Sequence, residues 1–170
     1  MLGYVMAEGR GVADRLLADL AVDLAAQGWP LAGVVQLNIE RRPDRLCDME
    51  LRVLGQDHLV RISQDLGPQS RGCRLDPSGL EQAVGLVEAA LDARPALLIV
   101  NKFGKSEVEG RGFRHVIGRA LAEDVPVLTA VSRANLNGFL AYSGGLAEAV
   151  APDPARLREW CDATCAARLG

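Results

Sequence analysis

Short apolar runs and amphipathic stretches alternate along this chain, and that alternation leaves few folds open to it. Leu31 to Asn38 is a nearly unbroken apolar run, and Ala96 to Val100 and Pro126 to Val131 repeat the pattern. Runs of this kind are strands covered on both faces, as in a parallel sheet with crossover helices. Leu2 to Met6 is a shorter strand of the same type. The helices between them are equally legible. Val12, Leu16, Leu20 and Leu24 recur four apart and predict the buried stripe of a helix from Val12 to Gln27, ended by Gly28 as a left-handed cap. Asp76-Pro77 caps a second helix to about Ala93, with Pro77 at the first turn where its missing N–H does no harm. Phe113, Val116, Ile117, Ala120 and Leu121 mark the buried face of a third, and Asp153-Pro154 starts the last, which carries Trp160. Leu46 to Leu54 and His58 to Ser63 flank Gly55-Gln56-Asp57 and predict a hairpin added at the sheet edge. The expected fold is a three-layer α/β sandwich with a mostly parallel sheet and an added β-hairpin, one domain over residues 1–170.

Composition narrows the function. A net charge of -3 supplies no electrostatic footprint for nucleic acid. No apolar run approaches the ~20 residues of a membrane span, and no basic segment followed by a long apolar stretch marks a signal peptide. The four cysteines have no secretory context, so a reduced, cytoplasmic protein is expected. This reading leaves room for a homo-oligomer and includes neither nucleic acid nor membrane insertion.

In open α/β sheets ligands bind beyond the carboxyl ends of the strands. Three segments leave strand ends there: Ala7 to Gly11, Asn101 to Gly112 and Ser132 to Gly138. The first stands where a nucleotide-binding protein has its phosphate loop. A working P-loop needs glycine-freed N–H groups, a lysine for the β/γ-phosphates and a Ser/Thr for magnesium. With Gly11-Val12-Ala13-Asp14-Arg15 set against the end of that motif, Ala13 falls on its last glycine, Asp14 on the lysine and Arg15 on the hydroxyl; Glu8 falls on the leading glycine. The free N–H groups and helix dipole at Gly9 to Val12 still attract an anion, aided by Arg10 and Arg15 and opposed by Glu8 and Asp14.

The second segment packs Lys102, Lys105, Arg111, Glu107, Glu109 and three glycines into what reads as one loop. An intact NTPase usually ends this strand with a magnesium-binding aspartate, and here stands the neutral Asn101. Lys102 and Lys105 are candidates for the cation missing from the first loop, with Gly104 between them; a solvated charged loop fits the same spacing. The Asn-Lys pair fails as a guanine-reading motif, because Gly104 replaces the required aspartate. Arg111, His115 and Arg119 recur every four residues as the water-facing side of a helix. His58 and His115 are too isolated for a zinc site. Cys47 and Cys73 are candidates for a soft-metal or redox pair, with small hydrophobes as the plainer reading. Cys161 and Cys165, one turn apart on the last helix, read as core. No serine stands in a nucleophile elbow.

Three segments then look familiar together: Tyr4-Val5-Met6-Ala7-Glu8-Gly9-Arg10-Gly11, Arg61-Ile62-Ser63-Gln64 with Arg71-Gly72-Cys73-Arg74-Leu75-Asp76, and Leu98-Ile99-Val100-Asn101-Lys102-Phe103-Gly104-Lys105. In these the chain resembles a bacterial domain family of unknown function described as nucleoside-triphosphatase-like, whose genes often lie near molybdate transport genes. It distantly resembles small P-loop nucleoside-triphosphatases. That kinship implies a P-loop NTPase-like fold, and Glu107 corresponds in it to a later glutamate of the triphosphatase pattern. The expectation is an accessory protein that binds a nucleotide or a molybdate/phosphate-type oxyanion through a degenerate, non-hydrolytic P-loop. Its ligand contacts would come from Glu8, Gly9, Arg10, Gly11, Val12, Asn101, Lys102, Gly104 and Lys105. The alternatives are an unconventional nucleoside-triphosphatase using Lys102, Lys105 and Glu107, and a protein-interaction module without a small ligand.

Overall fold

A computed structural model describes residues 1–39, 48–56, 58–64 and 74–169 of the chain. Cys47 and Cys73 lie outside the described residues, as do Leu46 and Asp57 of the expected hairpin. In chain order the elements are β1 (Leu2–Val5), α1 (Val12–Ala26), β2 (Leu31–Ile39), β3 (Asp48–Val53), β4 (His58–Arg61), β5 (Ser63–Gln64), β6 (Arg74–Leu75), α2 (Pro77–Ala90), β7 (Leu97–Phe103), α3 (Lys105–Val108), α4 (Arg114–Ala122), β8 (Val127–Val131), α5 (Leu136–Ser143), β9 (Ala147–Val150) and α6 (Pro154–Cys165).

The main sheet runs in the order β4-β3-β2-β7-β8-β1-β9. From β2 to β9 every neighbour is parallel, and β3 and β4 extend the β2 edge as an antiparallel hairpin. The chain leaves β1, crosses β8 and β7 by way of α1 to reach β2, and then works back. The carboxyl ends of β1, β2, β7 and β8 therefore open on one edge. Two cores fill the faces. On one, α1 and α6 pack through Leu17, Leu20, Leu24, Leu157 and Trp160 onto Val35, Leu97 and Ile99. On the other, α2, α4 and α5 pack through Val84, Val87, Val116, Ile117 and Phe139 onto Val34, Leu98 and Val100. This is the expected three-layer arrangement.

Local signals hold where a side chain meets an orphan N–H. Asp76 and Asp153 cap α2 and α6 by accepting from the N–H groups of Ser78 and Arg156 at 3.0 and 3.1 Å, each with proline in the first turn. Gly28 takes φ 80 after α1, as expected. Other expectations shift. Val12 and Leu16 are only half-buried, whereas Leu17 and Ala21 are buried, because the packed stripe of α1 follows its contact with both sheet and α6. The stretch from Asn101 to Gly112 is not one loop: β7 continues to Phe103, whose ring is buried, and Lys105–Val108 forms a helical turn. Ser132 to Gly138 likewise tightens into a 3₁₀ turn and the start of α5.

Cys161 and Cys165 are fully buried in the α1/α6 layer. Burial, with a smaller effect of Cys165, pushes the Cys161 thiol from 9.0 up to about 12, and burial also raises that of Cys165. The folded state thus favours the neutral thiol. For Cys161, this contribution to stability is complete below pH 9 and declines as pH rises toward about 12. Neither residue should react with iodoacetamide at pH 8 in the native protein, and both should react in urea. Peptide mass spectrometry reads the two sites separately, and rapid native labelling of either would contradict the packing.

Candidate functional site

The turn from β1 into α1 is built on two glycines. Gly9 and Gly11 adopt φ 97 and φ 72, in the left-handed region where an L side chain is strained. Gly11 is the N-cap of α1, and no side chain caps that end, in contrast to α2 and α6. Glu8, Gly9 and Arg10 are exposed and Val12 is half-buried. The Glu8 carboxylate lies 3.6 Å from Arg133, with both side chains almost wholly in water, where such a pair contributes little.

Asp14, which the motif alignment sets against the lysine, turns inward and is 7% exposed. A carboxylate so placed needs donors, and they come from two strand ends. Asn101 Nδ2 donates to Asp14 Oδ1 at 3.0 Å, and Asn38 Nδ2 donates to Asp14 Oδ2 at 3.2 Å. Gln36 closes the ring: its N–H donates to Asn101 Oδ1 at 3.0 Å and its Nε2 donates to Asn38 Oδ1 at 2.8 Å. Lys102 Nζ stands 3.9 Å from Asp14 Oδ1. The structure therefore brings Asn101 and Lys102 to the first loop through Asp14. Sequence reasoning missed Gln36 and Asn38; their signal was polarity at the carboxyl end of an otherwise apolar strand.

A β-bulge explains how two consecutive residues reach the same carboxylate. Successive side chains of a regular strand point to opposite faces. Between Val100 and Phe103, β7 spends three steps where β8 spends two, from Thr129 to Val131. The extra residue changes the parity. Val100 and Phe103 both join the α2/α4/α5 core, while Asn101 and Lys102 both reach Asp14. Bulges re-aim side chains in this way.

Lys105 and Glu107 have other company. Lys105 projects into water and pairs at 3.7 Å with Glu109. Glu107 is 4% exposed, and its two carboxylate oxygens accept from the N–H groups of Gly104 at 2.9 Å and Phe113 at 3.0 Å. Its carboxylate holds the connection between β7 and α4. Arg119, expected to face water with Arg111 and His115, instead leans on α2. It is hydrogen-bonded to Asp92 at 2.6 Å and Glu123 at 2.8 Å, and these two acids, Asp92 first, hold its pKa above the usual range. It lines a cleft of about 490 Å³ with Leu91, Arg94, Asp124 and Arg168. That cleft lies at the amino ends of β7 and β8, opposite the Asp14 ring. Among the described residues no group of three or more His, Cys, Asp or Glu side chains is arranged to hold a metal ion, and no helix is long and apolar enough to cross a membrane.

Comparison with known proteins adds three findings. Residues 2–160 match the family described as "Protein of unknown function (DUF2478)". The "Molybdenum import ATP-binding protein ModC 2" of Bradyrhizobium diazoefficiens is 36% identical over 133 residues, which are 78% of this chain and 15% of that protein. The chain thus spans about 15% of the length of this curated relative. THEP1 from the hyperthermophile Aquifex aeolicus superimposes with a TM-score of 0.65 over 95% of each chain at 11% identity, a likeness of fold alone. The P-loop NTPase-like fold class and the resemblance to a domain family of unknown function are both borne out. Matched from residue 2 to residue 160, the chain belongs to the DUF2478 family.

Proposed function

We propose that this domain holds a tetrahedral oxyanion, free or as part of a nucleotide, without ordinary P-loop hydrolysis, and that it is an accessory to molybdenum import. One observation carries the reading: beside a turn with two left-handed glycines, Asp14, which the motif alignment sets against the lysine, is buried against Asn101, which it sets against the magnesium ligand. The retained part is what binds phosphate-like groups. Two left-handed glycines and a helix N-terminus without a side-chain cap offer N–H groups and the positive end of the dipole, with the Val12 N–H donating to the Gly9 carbonyl at 3.4 Å. The altered part is what activates a γ-phosphate. Asp14 opposes the negative charge that a lysine would neutralise, and Asn101 is a poor magnesium ligand.

The link to molybdenum rests on the 36% identity with part of a protein named for molybdenum import. In that relative the matched segment is a minor part of a longer chain. That likeness supports a role beside an import ATP-binding protein on the cytoplasmic side, with a small anion as the ligand. Isothermal calorimetry with molybdate, tungstate, phosphate, ADP and ATP is the test, run with and without magnesium beside a phosphate-release assay. Binding of at least one anion with phosphate release at the buffer rate is expected. Absence of binding by all five would end the proposal. Magnesium-dependent release that disappears in Lys102→Ala would replace it with an unconventional nucleoside-triphosphatase.

A further inference from the structure

We propose that Asp14 and Lys102 form a charge-swapped version of the phosphate-loop pair, in which Lys102 is the ligand's cation and Asp14 its resting counter-ion. In the usual arrangement the helix supplies the lysine and the neighbouring strand the acid. Here the helix supplies the acid and the strand supplies the lysine, 3.9 Å apart. This rests on the oxyanion reading above and names the residues that set affinity at that site.

Three observations support it. First, the bulge in β7 is what sends Lys102 toward α1; without the extra residue, Asn101 and Lys102 would point to opposite faces. Second, Asp14 is fixed and Lys102 is not. The carboxylate is 9% exposed and anchored by Asn101 and Asn38, whereas the lysine side chain is 48% exposed. Third, a separation of 3.9 Å is an ion pair and longer than a hydrogen bond. That contact leaves the ammonium's N–H donors able to turn toward an incoming oxygen. Lys105, by contrast, is directed into water beside Glu109. An oxyanion at the Gly9–Val12 turn would draw Lys102 away from Asp14, and the fixed carboxylate would weaken the binding by its like charge. Asp14 is then a specificity-determining residue, and Lys102 the group that touches the ligand.

The test is calorimetric titration of wild type and three variants with molybdate, phosphate and ADP, each variant first checked by thermal melting. Lys102→Ala should weaken binding by about tenfold or more, the loss of a charged hydrogen bond. Lys102→Arg should stay within about threefold of wild type because it keeps the charge. Asp14→Asn should tighten binding on the order of fivefold. A loss seen with molybdate and phosphate assigns a free oxyanion; a loss seen with ADP alone assigns the phosphate of a nucleotide. Lys102→Ala that folds and binds like wild type overturns the assignment while the oxyanion reading stands. Wild type that binds none of the probes overturns both. Weaker binding by folded Asp14→Asn overturns the counter-ion role, and the exposed Lys102 substitutions remain decisive if Asp14→Asn does not fold.

Discussion

Gly33→Ala is expected to remove about 4 kcal/mol or more of stability, at the extreme of what single substitutions do. Gly33 lies in β2, between β3 and β7, with φ 114, a conformation that L side chains rarely adopt. Its neighbour across the parallel ladder is Ile99. A Cβ built on Gly33 would sit 1.8 Å from the Ile99 carbonyl oxygen and 2.7 Å from its carbon. Those atoms are backbone and cannot rotate away as a side chain would. Relief would require separating β2 from β7, and Gly33's own carbonyl also accepts from Leu54 N–H at 2.9 Å at the hairpin junction. Gly85→Ala is the contrasting substitution. Gly85 lies inside α2 with open space around its missing Cβ, so alanine there should stabilise by about 0.5–1 kcal/mol. Urea denaturation of the two variants beside wild type measures both signs. A Gly33→Ala loss below about 1 kcal/mol would show that β2 and β7 approach less closely than described.

That glycine also marks the limit of what periodicity discloses. Leu31 to Asn38 was legible as a buried strand because both faces demand apolar side chains, and the order of strands and helices followed from similar runs. The positive φ of Gly33 inside the run was not legible, since a glycine among apolar residues looks the same in a regular strand. β9 and α5 also escaped notice. β9 is an edge strand of four residues with Ala147, Glu148 and Ala149 not fully buried, so it carries no apolar run. α5 is eight residues long and is interrupted by Gly138, over which Val108 packs.

The site divides in the same way. Asp14 and Asn101 stood out when the sequence was set against the phosphate-loop motif, because the motif states what chemistry each position must supply. Their contact at 3.0 Å joins residues 87 apart, and the approach of Lys102 to the same carboxylate depends on a bulge that no spacing announces. Gln36 and Asn38 enter for the same three-dimensional reason: the parallel ladder sets the end of β2 beside β7. Reading residue types thus singled out Asp14 and Asn101, and only the assembled strand ends located Lys102 beside Asp14 while leaving Lys105 in water.

Glu107 is the acid whose removal should cost most. Glu107→Ala would leave the N–H groups of Gly104 and Phe113 without their acceptor, the latter inside the fold. Each buried, unpaired donor costs about 1–3 kcal/mol, so a loss of about 3 kcal/mol is expected. Glu107→Gln should not rescue it. A carboxylate presents oxygen to both N–H groups, whereas an amide presents oxygen to one and an NH₂ to the other. Gly112 packs directly on the carboxylate, since a Cβ there would meet Glu107 Oε1 at 2.1 Å. Gly112 itself has φ 60, so the turn and the carboxylate are fitted to one another. Arg114 donates to the Glu107 main-chain carbonyl at 3.1 Å, which both variants keep, and lies over the Tyr142 ring 4.8 Å from its centroid. The measurements are urea denaturation and amide hydrogen exchange at Gly104 and Phe113, both of which should accelerate in the two variants. Wild-type exchange at those amides in Glu107→Gln would mean that one oxygen suffices. Glu107 would then be open to the part in an unconventional nucleoside-triphosphatase that its two backbone bonds now argue against.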